Sequence, residues 1–230
     1  TSTAPATYFS MVGGHPAEPV DETLDVLEPL VRYGIVRVIE GANEWDLNSD
    51  EHEGVIQYGP GVLKELREHQ EELYAKVHQR FPGVQVAGPT LDPDYAEAMG
   101  DLSHAMDLGN LHIYFRNLPI DVYGMHHHLR QTRIISGTKP LICTESNFII
   151  KDGYPYADDA RGEQAQASGY TETLQMLSER GVLRVFCYEL VEGSSPKDPN
   201  SHRENNFGCF RADWSPKPLG FNVRDVCRRG

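Results

Sequence analysis

Short runs of β-branched and aromatic residues alternate along this chain with longer segments in which apolar residues recur every three or four positions. The short runs have the composition of strands, and the longer segments have the period of a helix with one buried face. Alternation of the two is typical of parallel βα units. The short runs predict six strands, at residues 8–12, 36–40, 84–87, 111–115, 141–144 and 183–188.

The longer segments predict five helices. The clearest covers residues 61–80, where Leu66, Leu73 and Val77 share one face. Apolar spacing predicts the other four at residues 21–33, 95–106, 122–129 and 159–180. Pro29 lies inside the first of these and is expected to kink it. Because each strand precedes a helix or a long loop, the sequence predicts an α/β fold with six parallel strands.

A TIM-type (β/α)8 barrel is the architecture that this alternation favours. Such a barrel typically takes about 250 residues and can form from about 200, so the length of the chain permits it. Only six of the eight βα units are visible, and the missing pair is expected before the first strand. We therefore predict a single barrel domain over residues 1–230, in a chain that is a fragment or processed product or that forms an incomplete barrel.

Charge and composition disfavour some classes of function. The chain has 21 Lys and Arg against 34 Asp and Glu, a net charge of -13, which disfavours binding to nucleic acids. No apolar run approaches the roughly 20 residues of a membrane span. The first residues lack a signal peptide, although one could have been removed, and the four cysteines form no CxxC pair. The compartment is left open, with an extracytoplasmic location favoured.

Three strand ends carry groups suited to catalysis. Ligands of parallel α/β folds bind at the carboxyl ends of the strands. Glu44 follows the second strand, His112 and Tyr114 lie in the fourth, and Glu145 follows the fifth. Two carboxylates on one rim suit the hydrolysis of a glycosidic bond, because one protonates the departing oxygen while the other attacks the anomeric carbon. A separation of about 5–5.5 Å gives retention of configuration and a wider one gives inversion.

These motifs resemble those of a known enzyme group. Asn43-Glu44 after one strand, His112-x-Tyr114 two strands later and Thr144-Glu145-Ser146 on the next strand are similar to motifs of the retaining glycoside hydrolases of clan A. Those enzymes are (β/α)8 barrels with the acid/base on strand 4 and the nucleophile on strand 7. The resemblance extends from about residue 8 to residue 223, and it implies that this chain represents strands 3 to 8.

The resemblance also implies a reaction and the residues that perform it. The reaction would be the hydrolysis of O-glycosidic bonds in a poly- or oligosaccharide, with retention and without a cofactor. Glu44 would be the acid/base and Glu145 the nucleophile, while Asn43 would bind the sugar hydroxyl beside the reacting carbon. His112 and Tyr114 would orient the nucleophile by hydrogen bonding. The partners would be the carbohydrate substrate and a further segment or chain that supplies the missing strands.

Several aromatic residues are candidates for contact with the sugar. Trp45 follows Glu44 directly, and Tyr188 ends the last strand at a position where the resembling enzymes usually have Trp. Aromatic rings bury a large apolar face, which makes them good stacking platforms. Trp214, Tyr154 and Tyr156 are further candidates, with packing inside long loops as the alternative.

Other interpretations of the same residues stay open. The rim could belong to a noncatalytic carbohydrate-binding barrel, or the chain could be a fragment that is active only with a partner segment. Glu189 becomes the nucleophile if the strand register differs. Glu40 is expected to pair with a cation such as Arg37 or Arg184.

No metal or cofactor is predicted. The cluster His126-His127-His128 lies in a predicted helix, where consecutive side chains fan out by about 100° and cannot converge on one ion. It is therefore interpreted as a solvated helix face. The sequence contains none of the common dinucleotide-binding, phosphate-binding or serine-nucleophile motifs. Cys143 and Cys187 are expected to be buried thiols on neighbouring strands.

Overall fold

A computed structural model describes residues 9–12, 19–44, 60–115, 121–148, 160–192 and 206–227 of the 230-residue chain. All six predicted strands are confirmed, and their bounds lie close to the predicted ones except where the fourth and fifth extend further. The strands are β1 (Phe9–Val12), β2 (Val36–Glu40), β3 (Gln85–Ala87), β4 (Gly109–Phe115), β5 (Leu141–Phe148) and β6 (Val182–Cys187).

Four of the five predicted helices are also confirmed. Six helices lie among the described residues: α1 (Val20–Arg32), α2 (Pro60–Arg80), α3 (Ala96–Met99), α4 (Val122–Ser136), α5 (Ala160–Glu179) and α6 (Pro218–Cys227). Pro29 lies within α1, which continues past it to Arg32. Helix α6 was not among the predicted elements. None of the described helices is both long and apolar enough to cross a bilayer.

The prediction of one helix over residues 95–106 is wrong. The segment consists of two 3₁₀ turns, Pro93–Tyr95 and Ser103–Ala105, around the single helical turn of α3. Gly100 ends that turn with a φ of 68°, and the Asp101 carboxylate then accepts a hydrogen bond from the Ser103 N–H at 2.8 Å. The helical spacing of apolar residues instead reflects their burial at turns of an irregular segment.

The strands form two three-stranded sheets. In the first, with the order β1-β2-β3, both pairs are parallel, and Val38 and Ile39 of β2 lie opposite Gln85 and Val86 of β3. The second has the order β4-β5-β6. The α/β class with parallel strands is therefore confirmed, while closure into a (β/α)8 barrel stays a prediction.

The chain divides into two compact units. The first contains residues 1–111 and 126–142, and the second contains residues 112–125 and 143–230. In the first unit, α1 and α2 cover one face of the sheet through a buried apolar cluster that includes Leu24, Leu27, Ile39, Leu73 and Val77. Helical residues spaced by three, four or seven positions share one face, which is why these sequence positions meet the sheet.

In the second unit, one face of α5 is buried. Tyr170 and Leu177 are 1% and 0% exposed. Helix α6 packs along α5, where Asn222 Nδ2 donates to the carbonyl of Ala167 at 3.2 Å and to Thr171 Oγ1 at 2.9 Å. These contacts anchor the last described helix.

The chain immediately after β2 has no room for a side chain at Gly41. A Cβ atom there would lie 2.1 Å from Gln70 Oε1 and 2.8 Å from the backbone nitrogen of Pro89. Gln70 is fully buried, and its Nε2 donates to the carbonyls of Ala87 at 3.2 Å and Ala105 at 2.9 Å. Because these bonds hold Gln70 in place, its amide cannot easily move aside.

We expect Gly41→Ala to destabilise the fold, with the free energy of unfolding lowered by about 1–3 kcal/mol through overpacking. Urea unfolding followed by circular dichroism measures the change. Gly61→Ala is the matched control, because a Cβ at Gly61 would meet nothing within 4 Å and the residue lies in helix α2. That control is expected to be neutral or slightly stabilising. Equal losses in the two variants would contradict the packing argument.

Candidate active site

In the first unit, the loop after β3 holds the loop after β2. The Gly41 N–H donates to the Ala87 carbonyl, and the Thr90 N–H donates to the Ala42 carbonyl, both at 3.1 Å. The Thr90 hydroxyl oxygen accepts a hydrogen bond from the Glu44 N–H at 3.1 Å. The backbone that carries Glu44 is therefore tied to the next strand end by three hydrogen bonds.

Glu44 has an uncommon backbone conformation. Its φ of 40° lies in the left-handed region, which residues with a side chain seldom adopt. Such a conformation costs of the order of 1–3 kcal/mol and persists only where the surroundings fix it, most often at functional sites. Asn43 and Glu44 are both half-buried. The predicted acid/base therefore lies in a strained segment that the Thr90 hydroxyl helps to fix.

Glu40 has a partner that the sequence did not indicate. Its carboxylate accepts a hydrogen bond from Asn110 Nδ2 at 2.5 Å, and both residues are buried. Arg37, one of the predicted partners, is exposed and lies on the other face of β2, because side chains alternate along a strand. The Glu40–Asn110 bond joins the end of β2 to the start of β4.

In the second unit, Glu145 of β5 lies beside two residues of β4. Tyr114 Oη donates a hydrogen bond to Glu145 Oε2 at 2.7 Å, and His112 Nδ1 lies 3.6 Å from the same oxygen. His112 Nε2 lies 3.0 Å from Thr144 Oγ1. His112 and Tyr114 are two positions apart on β4, so they share one face of the strand. The structure thus brings together His112, Tyr114, Thr144 and Glu145.

The hydrogen bond from Tyr114 orients the Glu145 carboxylate. A hydroxyl that donates to a carboxylate stabilises its charged form, and hydrogen bonds to charged groups are the stronger class. The Glu145 side chain is 24% exposed, whereas that of His112 is 6% exposed. The Glu145 carboxylate is therefore partly accessible to solvent and is held by Tyr114.

Ser146, the last residue of the Thr144-Glu145-Ser146 motif, has a structural role. Its hydroxyl donates to the Phe186 carbonyl at 2.8 Å and lies 3.0 Å from Tyr170 Oη. Burial raises the pKa of Tyr170 well above its usual range, so this phenol stays neutral. Ser146 fixes β5 to β6 and to α5.

A small aromatic group adjoins Glu145. The Tyr114 and Phe207 rings have centroids 5.5 Å apart, and the Phe207 and Tyr188 centroids are 6.0 Å apart. Asn147, which is fully buried, donates to the carbonyls of Tyr188 and Phe207, the second at 2.7 Å. Asn147 therefore fixes the backbone of two members of this group from β5.

Of the other four aromatic residues that were predicted to contact the sugar, the structure describes only Trp214. Trp45, Tyr154 and Tyr156 lie outside the described residues. Trp214 is 66% exposed, with its ring centroid 6.4 Å from that of Phe210. Its exposed face makes stacking on a ligand physically possible, and its role stays a prediction.

Glu189 lies two residues after the end of β6 and is half-buried. Its N–H donates to the Phe207 carbonyl at 3.4 Å, and its carbonyl accepts from the Cys209 N–H at 3.0 Å. These two hydrogen bonds join the backbone after β6 to the segment 206–210. The alternative role of Glu189 as a nucleophile stays untested.

The three consecutive histidines lie on α4 as predicted, but only His126 is exposed, while His127 and His128 are half-buried. Burial lowers the pKa of His128, and the neighbouring His127 lowers it further, against the opposing effect of Asp92 and Asp94. His128 is thus a partly buried helix residue, which corrects the interpretation of a solvated face for this position.

Three residues of the candidate site were not among the predicted ones. Thr90 follows β3 by three positions, and inspection of all strand ends would have included it. Asn147 belongs to the polar end of β5, whose extension to Phe148 the sequence did not indicate. Phe207 lies in a segment without any periodic pattern, so no local signal marks it.

No protein-family model and no curated protein matches this sequence. Solved structures do have the same fold. A β-glucuronidase from Bacteroides uniformis is 16% identical, with 91% of this chain and 26% of that chain covered and a TM-score of 0.63. A GH2 β-galacturonidase from Eisenbergiella tayi is 18% identical, with 91% and 36% covered and a TM-score of 0.66.

A shorter enzyme has the fold as well. A thermostable mutant of a xylanase from Cellvibrio japonicus is 14% identical, with 96% of this chain and 76% of that chain covered and a TM-score of 0.62. This chain spans between about a quarter and just over a third of the length of the glucuronidase and the galacturonidase. At these identities the similarity establishes a fold shared with glycoside hydrolases.

Proposed function

We propose that this protein is a retaining glycoside hydrolase that cleaves O-glycosidic bonds of a poly- or oligosaccharide. The observation that carries the proposal is the hydrogen bond from Tyr114 Oη to Glu145 Oε2 at 2.7 Å, with His112 beside the same oxygen. Two further observations support it: the fold shared with glycosidases and the strained backbone of Glu44.

In the proposed reaction, Glu145 is the nucleophile. Its ionised carboxylate attacks the anomeric carbon while the bond to the departing oxygen breaks, which leaves a covalent sugar ester on Glu145. The hydrogen bond from Tyr114 holds Oε2 and so restricts rotation of the carboxylate. Orientation of a reacting group in this way contributes to the rate because the attacking geometry is set before the substrate arrives.

Glu44 is the proposed acid/base. It protonates the departing oxygen in the first step and takes a proton from water in the second, so that water hydrolyses the ester with net retention. Asn43, Trp45 and Tyr188 are the proposed contacts to the sugar. We further propose that the chain represents strands 3 to 8 of a clan A (β/α)8 barrel and works together with a segment that supplies the first two strands.

A substrate screen with product analysis tests the proposal. The panel contains aryl β-glucuronides, aryl β-galacturonides and xylan, after the names of the enzymes that share the fold, together with other polysaccharides. The anomer of the first product, followed by NMR, is expected to be the same as that of the substrate. Inversion would contradict the mechanism. Binding of a polysaccharide without any product would favour the noncatalytic carbohydrate-binding alternative.

We expect Tyr114→Phe to lower kcat about 10- to 100-fold. This factor corresponds to the free energy that a hydrogen bond to a charged group usually contributes. Phe keeps the ring that packs against Phe207 and removes only the donor to Glu145, so folding is expected to be preserved. Steady-state kinetics on an aryl glycoside and a thermal melt measure the two effects. Tyr123→Phe is the matched control, because Tyr123 is 83% exposed in the same unit. An unchanged kcat in Tyr114→Phe would contradict the orienting role.

A further inference from the structure

Two cysteines of the second unit have their sulfur atoms in contact. Cys187 ends β6, Cys209 follows in the described segment 206–210, and their Sγ atoms are 3.6 Å apart. The backbone beside them is paired, since the Glu189 carbonyl accepts from the Cys209 N–H at 3.0 Å. A disulfide has an S–S distance of about 2.05 Å, so a side-chain rotation and a small shift would close the gap.

The surroundings favour ionisation of one thiol of the pair. The thiol of Cys187 lowers the pKa of Cys209 by hydrogen bonding, burial opposes this, and the positive charge of Lys217 lowers it further. The same hydrogen bond and burial raise the pKa of Cys187. Lys217 is itself 1% exposed, and its Nζ contacts Glu192 Oε1 at 2.5 Å and the Asn206 carbonyl at 2.8 Å. The backbone N–H of Lys217 donates to the Cys209 carbonyl at 3.0 Å, which places the lysine next to Cys209 rather than Cys187. Because the thiolate is the reactive form, Cys209 is the attacking residue.

We propose that Cys187 and Cys209 form a reversible dithiol–disulfide pair that a peroxide oxidises. Because Cys209 is only 4% exposed, the oxidant that reaches its sulfur has to be small, and hydrogen peroxide meets this requirement. The proposal does not depend on the glycosidase function.

The chemistry proceeds in two balanced steps. In the first, the Cys209 thiolate attacks one oxygen of hydrogen peroxide, the O–O bond breaks, and hydroxide leaves and takes a proton to form water. In the second, the sulfur of Cys187 attacks the sulfenic acid of Cys209, the S–O bond breaks, and a second water leaves with the Cys187 proton. The dithiol is oxidised by two electrons, and the peroxide is reduced to two waters.

Oxidation would fix the segment 206–210 covalently to the end of β6. That segment carries Phe207, whose ring packs against Tyr114 and Tyr188. A covalent link also restricts the unfolded chain, which stabilises the folded state. The expected result is a higher melting temperature of the oxidised protein, by about 5–10 °C for a chain of this size.

Mass spectrometry of the peroxide-treated protein tests the proposal. The protein is treated with hydrogen peroxide, its remaining thiols are alkylated, and it is digested without reductant. We expect a cross-linked peptide that contains Cys187 and Cys209, a raised melting temperature, and reversal of both by dithiothreitol. Wild-type protein in which both cysteines are still alkylated, or in which Cys209 is oxidised to the sulfinic acid while Cys187 is alkylated, would overturn the proposal.

Three variants sharpen the test. Cys209→Ser is expected to give neither the cross-link nor the thermal shift. Cys187→Ser is expected to leave Cys209 as a sulfenic acid, because the resolving thiol is gone. Dimedone traps this sulfenic acid when the protein is unfolded in its presence. Cys227→Ser, at the end of α6, is the control and is expected to behave as the wild type. A cross-link between Cys209 and Cys227 instead would also overturn the pairing.

Discussion

Glu145→Ala is expected to abolish glycoside hydrolysis, with kcat reduced about 10⁴-fold or more. On the proposed mechanism the carboxylate forms the covalent sugar ester, and Ala offers no atom that could replace it. The loss falls on kcat, since the attacking group is removed while the sugar contacts stay. Release of the phenol from an aryl glycoside under saturating substrate measures the change.

Chemical rescue separates this loss from misfolding. A small anion such as azide can attack the anomeric carbon from the face that the missing carboxylate leaves open. Because this is a single displacement, the glycosyl azide should have the inverted configuration. Glu189→Ala is the matched control at another strand end, and it is expected to keep activity within a few-fold of the wild type. Full activity of Glu145→Ala, together with loss in Glu189→Ala, would assign the nucleophile to Glu189.

The strands were predictable because their signal is local. Runs such as residues 36–40 and 141–144 are short and apolar or β-branched, and they are bounded by turn residues. Burial on both faces, as in β5 where every residue except Glu145 is buried, produces such runs directly. The polar extension of β5 escaped prediction, since Ser146 and Asn147 are buried through hydrogen bonds with distant residues rather than through hydrophobicity.

The misjudged helix over residues 95–106 shows the limit of periodicity. Met99, Leu102 and Met106 are each at most 3% exposed, so their spacing reported burial correctly. It could not report that Gly100 adopts a positive φ, or that the Leu102 N–H bonds to the Ile135 carbonyl of α4 at 2.8 Å. The spacing of apolar residues identifies which residues are buried together. Tertiary hydrogen bonds decide whether the backbone between those residues is helical.

The candidate site was predictable in part for a geometric reason. The rule that ligands bind at the carboxyl ends of parallel strands selected His112, Tyr114 and Glu145, and the structure places these three together in the second unit. The rule concerns strand ends only, so it could not select Phe207, which reaches Tyr114 from a distant part of the chain. The φ of Glu44 could not be predicted from the sequence either, because a dipeptide such as Asn43-Glu44 does not fix its own backbone conformation.

Glu44→Ala is expected to act selectively, and its effect depends on the leaving group. Departure of a poor leaving group needs a proton, so hydrolysis of a natural oligosaccharide should fall about 10²- to 10⁴-fold. An aryl glycoside with an acidic phenol can form the ester without the proton. The second step lacks its base, and the ester accumulates, which gives a burst of phenol followed by slow turnover.

Azide and a control complete the test of Glu44. Azide needs no base, so it should speed the second step in Glu44→Ala and give a glycosyl azide of retained configuration, because two displacements each invert the anomeric carbon. This outcome is opposite to that for Glu145→Ala, so the pair of variants assigns the two roles by product stereochemistry alone. Glu68→Ala, an exposed residue that pairs with Lys64 on α2, is expected to match the wild type. Equal losses on good and poor leaving groups would contradict the acid/base role, since proton donation is the only function that depends on the leaving group.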